Sequence, residues 1–241
     1  MLELLTTYRR PDGLWMYPLD SPNAYRQNLR LRPADWPWRT LSVRYTTNSQ
    51  GYRCREFDSI DWSTSILFFG CSNQFGEGVS DEHVASSLVP GGVNLGMGSS
   101  DAHFMWINTL RLLDSSIKPR ACVYMWPHWS RVMQITQPNQ CRLWGPWNTN
   151  QPTDWAWPYI STDVHAQKMT QAIHATVSRL WTCPVIHSSY RQEVVDLLGS
   201  GCLKIQLVDL ARDCLHMGIQ SHLLYAQQIQ AQLDLIELAG N

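Results

Sequence analysis

The sequence predicts an α/β protein, a three-layer α/β/α sandwich on a flavodoxin-like parallel sheet. Two observations carry this expectation. Short apolar runs recur at Ile66–Phe69, Val93–Leu95, Ala121–Met125, Pro184–His187 and Leu203–Leu207, each too short for a helix. Segments with helical apolar spacing alternate with them, and strands alternating with helices imply a parallel sheet covered on both faces. Right-handed crossovers leave few ways to connect such a sheet.

Residues 1–60 read as an irregular N-terminal arm packed on the main domain, residues 61–241. Pro11, Pro18, Pro22, Pro33 and Pro37 exclude long helices in the arm, because proline lacks the amide donor that a helix interior uses. A short strand is expected at Leu41–Tyr45, then a polar turn, Thr46–Arg53. In the main domain, Asp81 is expected to cap a helix running to about Leu88, stopped by Pro90-Gly91-Gly92. Val93–Leu95 leads into the turn Gly96–Ser100. Asp101–Leu113 places Phe104, Ile107, Leu110 and the pair Leu112–Leu113 at helical spacing. After Ala121–Met125, residues 126–158 are expected to form one long Trp-rich loop, broken by Pro127, Pro138, Pro146, Pro152 and Pro158. Helices are expected at Thr162–Trp181 and Tyr190–Leu198. Ile219–Leu238 closes the chain as an amphipathic helix, with Leu223, Ala226, Ile229 and Leu233 on one face.

Composition narrows the class. The 241 residues suit one α/β domain or two small ones. Hydrophobic residues are 44% and charged residues only 16%, which is the balance of a globular chain and not of a disordered one. The net charge of −1, with no basic block, argues against a nucleic-acid partner. Seven scattered cysteines without a CxxC pair argue against a zinc site or a disulfide framework, so no metal and no cofactor are expected. The N-terminus lacks the basic start and apolar core of a signal peptide, and no apolar stretch approaches the ~20 residues of a membrane span. A cytoplasmic location is the expectation.

The chemistry concentrates where the first strand ends. A buried strand that breaks into a tight turn at Gly70-Cys71-Ser72 lifts a serine hydroxyl above the end of a sheet. Ser72 is the candidate nucleophile. Asp213 and His216 are three residues apart, which lets a carboxylate hold an imidazole in one tautomer while its other nitrogen points outward. Candidate oxyanion donors are the N–H of Ser72 and those of the Gly96–Ser99 turn, with Gly98 and Ser99 as alternatives. The 12 tryptophans include six between Trp126 and Trp157, which serve either as core and interface or as stacking platforms. Trp126, Trp129 and His128 are the candidate substrate-binding residues; His128 and Arg131 read as structural rather than catalytic.

These residues resemble the SGNH (GDSL-type) hydrolases. The family's first block, a Gly-Asp-Ser continuing toward Phe-Gly-x-Gly-Val, is matched by Gly70-Cys71-Ser72-Asn73-Gln74-Phe75-Gly76-Glu77-Gly78-Val79, with Cys71 in place of Asp. Thr46–Arg53 is similar to the Asn-x-x-Gly-[Phe/Tyr]-Arg segment found ahead of that block. Asn94-Leu95-Gly96-Met97-Gly98-Ser99 resembles the second block, one glycine short, and Asp213-Cys214-Leu215-His216 resembles the last. The family's third block supplies an Asn oxyanion donor after the third strand; here the chain reads Trp126-Pro127-His128-Trp129-Ser130-Arg131, leaving Asn73, His128 or Ser130 as substitutes.

The resemblance implies a serine esterase acting on carboxylic esters, with O-acetyl groups on a polysaccharide as the expected substrate. It covers residues 45–230, and the Trp-Pro-x-x-Ser-Arg segment looks like those of bacteriophage-encoded relatives. The alternative is a catalytically weak or inactive structural or binding protein of a virion. A homo-oligomer or larger virion assembly would be the setting, with synthesis in the host cytoplasm.

Overall fold

A computed structural model of the chain describes residues 2–7, 13–15, 19–145 and 163–240. The fold is α/β, with a central sheet of five parallel strands between two layers of helices. The strands are β1 (Ile66–Gly70), β2 (Gly92–Asn94), β3 (Ala121–Met125), β6 (Val185–Ser189) and β7 (Cys202–Lys204), in the order β2-β1-β3-β6-β7. Counting the parallel strands alone, this is the flavodoxin-like order, whose switch point lies between β1 and β3.

β1 and β3 are buried at every position, so they read as unbroken apolar runs. Successive side chains alternate between the two faces. Leu67, Phe69, Cys122 and Tyr124 pack with helix α4 (Ala102–Asp114) and helix α5 (Asp163–Leu180). Ile66, Phe68, Val123 and Met125 pack with the C-terminal helix α7 (Ile219–Gly240) and the short α3 (Ala85–Leu88). Asp101 caps α4 by accepting the Phe104 N–H at 2.8 Å. Helix α6 (Gln192–Leu198) precedes β7.

Several expectations need correction. The segment after β3 is not one long loop: β4 (Val132–Gln137) and β5 (Gln140–Trp144) form an antiparallel hairpin, with Pro138 and Asn139 in its turn. Residues 134–138 are solvent-exposed, so no buried alternation marks the first strand in the sequence. The rest of the expected Trp-rich loop, with Trp147, Trp155 and Trp157, and the expected helix start at Thr162 lie outside the described residues. The arm contains helix α1 (Pro22–Leu31); Pro22 sits in its first turn, where a missing N–H costs nothing, and Ser21 caps it. Leu41–Tyr45 forms no strand, only a bridge between Gly13 and Tyr45. The expected 81–88 helix is interrupted at the extended Val84, because the Ala85 N–H turns to His222 Nδ1 (3.3 Å). On α7, Leu223 is exposed and Tyr225 takes its place in the core. Among the described residues no helix is long and apolar enough to cross a membrane.

Candidate active site

The site forms at the switch point, beyond the ends of β1 and β3. Chain leaving β1 enters the single-turn helix α2 (Ser72–Phe75), so Ser72 stands at its first position. The second structural partner is the loop 209–217, closed by the Leu210–Met217 bridge and the Ala211 N–H to His216 O bond of 2.9 Å. Glycine brings the two together. Gly78 has φ 83°, and a Cβ there would lie 2.6 Å from Ala211 Cβ. That close approach allows the Arg212 N–H to reach Gly78 O at 3.1 Å. Asn73, next to Ser72, accepts the Met217 N–H at 2.9 Å and ties the same loop down.

The three triad candidates are brought together across 144 residues. His216 Nε2 lies 2.8 Å from Ser72 Oγ, and Nδ1 lies 2.5 Å from Asp213 Oδ2. Asp213 also folds its own turn: Oδ1 accepts the N–H of Leu215 at 3.0 Å and of His216 at 3.1 Å. The Asp-x-x-His spacing is thus explained locally, with Cys214 at φ 62° turning the chain. Burial pushes the Asp213 carboxyl up, but the bond to His216 and the two backbone donors more than offset it and hold it below the usual range. Burial disfavours a charged His216, yet Asp213 and a second carboxylate, Glu77, raise it to about 9. Glu77 Oε2 is 3.7 Å from Nε2.

The candidate oxyanion donors lie in the turn after β2. Asn94 Oδ1 accepts the Gly96 N–H at 3.0 Å, and its Nδ2 reaches Phe75 O at 3.3 Å. A Cβ on Gly96 would lie 2.6 Å from the Phe75 nitrogen, so glycine alone allows this turn to lie against α2. Met97 N–H (3.0 Å) and Ser100 Oγ (2.8 Å) both donate to Gly70 O, anchoring the turn on the end of β1. Ser99 has φ 66°, the left-handed conformation a glycine would adopt at this point. Among the described residues, the N–H groups of Gly98 and Ser99 have no hydrogen-bond acceptor. Both candidate donors therefore keep an uncommitted N–H in a turn anchored on the end of β1.

The loop after β3 holds surprises for the sequence reading. Trp126 is 0% exposed, stacks on Tyr124 and donates Nε1–H to His187 Nδ1 at 3.0 Å. Trp126 is a core residue and not a sugar platform, which corrects that assignment. His128 and Ser130 are spent on each other, with Nδ1 to Oγ 2.8 Å and the Ser130 N–H to Nδ1 3.1 Å. Asn73 accepts the Met217 N–H through its Oδ1, and its side chain also hydrogen-bonds Tyr190. What the loop brings to the Cys71–Ser72 segment is Arg131. Its Nη1 donates to Ser100 O at 3.1 Å. Its charge acts on Cys71: burial pushes that thiol up, and Arg131, the Asn73 backbone N–H and His216 together more than offset it.

Two cavities are lined by segments that also meet the site, though not by Ser72, Asp213 or His216 themselves. One of about 350 Å³ is lined by His128, Trp129, Arg131, Met133, Ile107 and Met169 among others, mostly apolar surface. The other, about 420 Å³, is lined by Gly98, Ser99 and residues of the β4–β5 hairpin. Trp129 and His128, the two other candidate substrate-binding residues, line the first cavity and stack on one another at 4.2 Å. Among the described residues, Glu77, Asp213 and His216 are the group whose possible ligand atoms lie within 4.8 Å of one another. Asp213 and both imidazole nitrogens are already engaged in the Ser72–His216–Asp213 chain, so the group is a hydrogen-bonded relay with a second carboxylate and not a ligand set.

Sequence reasoning missed Glu77 and Arg131 as site residues and left Arg53 unexplained. Arg53 ends the Asn-x-x-Gly-Tyr-Arg segment. It donates to Gly76 O (2.5 Å), Val79 O (2.7 Å), Phe75 O (3.2 Å) and Arg44 O (3.1 Å), and pairs with Asp81. The turn aiming it is made by Asn48, whose Oδ1 accepts the Gln50 and Tyr52 N–H groups at 3.0 Å. A signal for Glu77 was present: an acid between two turn glycines directly after a buried strand end. No family model matches the chain, and no curated protein matches it at a significant level.

Proposed function

We propose that the protein is a serine hydrolase of carboxylic esters, of the kind its SGNH-like motifs suggest. The observation that carries this reading is the continuous chain Ser72–His216–Asp213, with contacts of 2.8 and 2.5 Å. Ser72 Oγ attacks the ester carbonyl while His216 Nε2 takes its proton. The tetrahedral oxyanion faces the N–H of Ser72 and that of Gly98 or Ser99. Collapse expels the alcohol, which receives the proton from His216, and leaves acyl-Ser72. Water then repeats the sequence, releasing the carboxylic acid and restoring the serine. O-acetyl groups on a polysaccharide remain the proposed substrate, with the Trp129–His128 cavity on the sugar side. Release of acetate from acetylated glycans and from simple acetate esters tests the reading; no turnover of any ester would end it.

Arg131, in the loop after β3, donates to Ser100 O and acts on Cys71, so its cation favours negative charge developing next to Ser72. Arg131→Met is expected to lower kcat about 100-fold with little change in KM, measured on an acetate ester. An unchanged kcat would remove Arg131 from the oxyanion site.

The pH profile follows from His216. Only the neutral imidazole accepts the serine proton. Its ionisation is raised to about 9, so kcat/KM should climb through neutral pH and level off only above about pH 9. Below that it should fall about tenfold per pH unit. A limb near the ordinary histidine value would show that the carboxylates do not act on His216.

A second reading keeps the fold as a scaffold in a phage virion. It is favoured by the lack of an Asn side chain after β3 and by the low exposure of Ser72, 7%. The acetate-release screen separates the two.

A further inference from the structure

One carboxylate beside the triad has no part in the reaction as written above. Glu77 Oε2 lies 3.7 Å from His216 Nε2, the same nitrogen that meets Ser72 Oγ at 2.8 Å. Asp213 holds the other nitrogen at 2.5 Å. The imidazole therefore sits between two carboxylates whose side chains are 9% and 0% exposed. Glu77 is fixed in place by the backbone. Its N–H donates to Ser72 O at 3.1 Å, and its neighbour Gly78 is seated on the Ala211–Asp213 backbone. A triad of serine, histidine and aspartate needs no acid on the Nε2 side, so a buried one there calls for a role.

We propose, resting on the ester-hydrolase reading, that Glu77 is a positioning residue acting through His216: it fixes the Nε2 edge of the ring and stabilises the imidazolium formed when Ser72 gives up its proton. The same attraction has two opposite consequences. In the transition state it lowers the barrier, because the cation forms there. In the resting site it favours the cation before any substrate is present, which withholds the base at neutral pH. Glu77 thereby shifts the working range toward alkaline pH in exchange for a faster step once the ring is neutral.

The other groups facing His216 are Asp213 on its own loop, Cys71 after β1 and His222 on α7. Arg131, from the loop after β3, acts on the site through Cys71. Arg53 is committed to the Phe75–Val79 carbonyls and Asp81. Among the described residues, Glu77 is the carboxylate on the Nε2 side.

The test is Glu77→Gln, compared with wild type by kcat/KM across pH and by the low-field proton resonance of His216 Nδ1–H followed with pH in the absence of substrate. The acidic limb and the resonance midpoint should both move down by about one pH unit, the effect of one opposite charge at this range. The alkaline plateau should fall about tenfold, so the two profiles merge in acid and separate only above about pH 8. A uniform loss at every pH, or an unmoved resonance, would overturn the proposal. If neither protein turns over any ester, the hydrolase reading fails, and the resonance alone still decides whether Glu77 acts on His216. Should the amide variant not fold, Glu77→Asp draws the charge back by one methylene and should move the resonance part of the way; an unmoved midpoint there counts against the proposal.

Discussion

Ser72→Ala is expected to lower ester turnover by about 10⁴-fold or more while the protein stays folded. The size follows from what the hydroxyl does: it is the attacking atom, and the oxyanion donors left behind can only assist water. The fold should survive because the side chain's bond is to His216 Nε2 alone, whereas the Ser72 carbonyl, which the variant retains, accepts the Gly76 and Glu77 N–H groups at 3.0 and 3.1 Å. Circular dichroism and thermal melting should match wild type. Turnover retained in the variant would assign the chemistry elsewhere, first of all to Cys71, the residue before it.

Arg53→Ala is expected to be the most destabilising single change near the site. The guanidinium is buried, yet it is fully used, donating to four backbone carbonyls and pairing with Asp81. Truncation leaves the Val79 and Arg44 carbonyls without a donor and Asp81 without its partner, while Phe75 O keeps Asn94 Nδ2 and Gly76 O keeps the Val79 N–H. Each orphaned buried acceptor costs about 1–3 kcal/mol. Part of that is recovered by relaxation, so a loss of about 3–5 kcal/mol is expected, as for breaking a buried charged contact. For a chain of this size that is a drop of about 10 °C in Tm. Three of the four carbonyls belong to the Phe75–Val79 turn, which seats Glu77 and meets the Asp213–His216 loop. Activity measured well below the new Tm should therefore fall as well. A Tm within about 2 °C of wild type would mean that the clamp carries little of the turn's stability.

The central sheet was legible because a doubly covered parallel sheet demands short, unbroken apolar runs, and the chain supplies them at Ile66–Phe69 and Ala121–Met125. The triad was legible because each part is local: a glycine-bounded elbow carrying Ser72, and an Asp213 that builds the very turn presenting His216. What escaped the sequence was relational. The β4–β5 hairpin is half-exposed along its first strand, so Val132–Gln137 lacks the alternation that announces a buried edge. Trp126 looked like a stacking surface because a tryptophan's fate depends on its neighbours, and here Tyr124 and His187 enclose it. Arg131 looked structural because its approach to Cys71 depends on how the loop after β3 folds back. Glu77 stands in the sequence as one position of the Gly70–Val79 block; only the arrival of a loop from more than 130 residues away puts it beside an imidazole.

The most direct test of a Ser72 nucleophile activated by His216 is covalent labelling of the native protein with a fluorophosphonate, followed by mass mapping of the modified peptide. One phosphonyl group should attach to Ser72 near pH 9, and His216→Ala should abolish it. A folded protein that takes up no label, or takes it up on Cys71, would contradict the account.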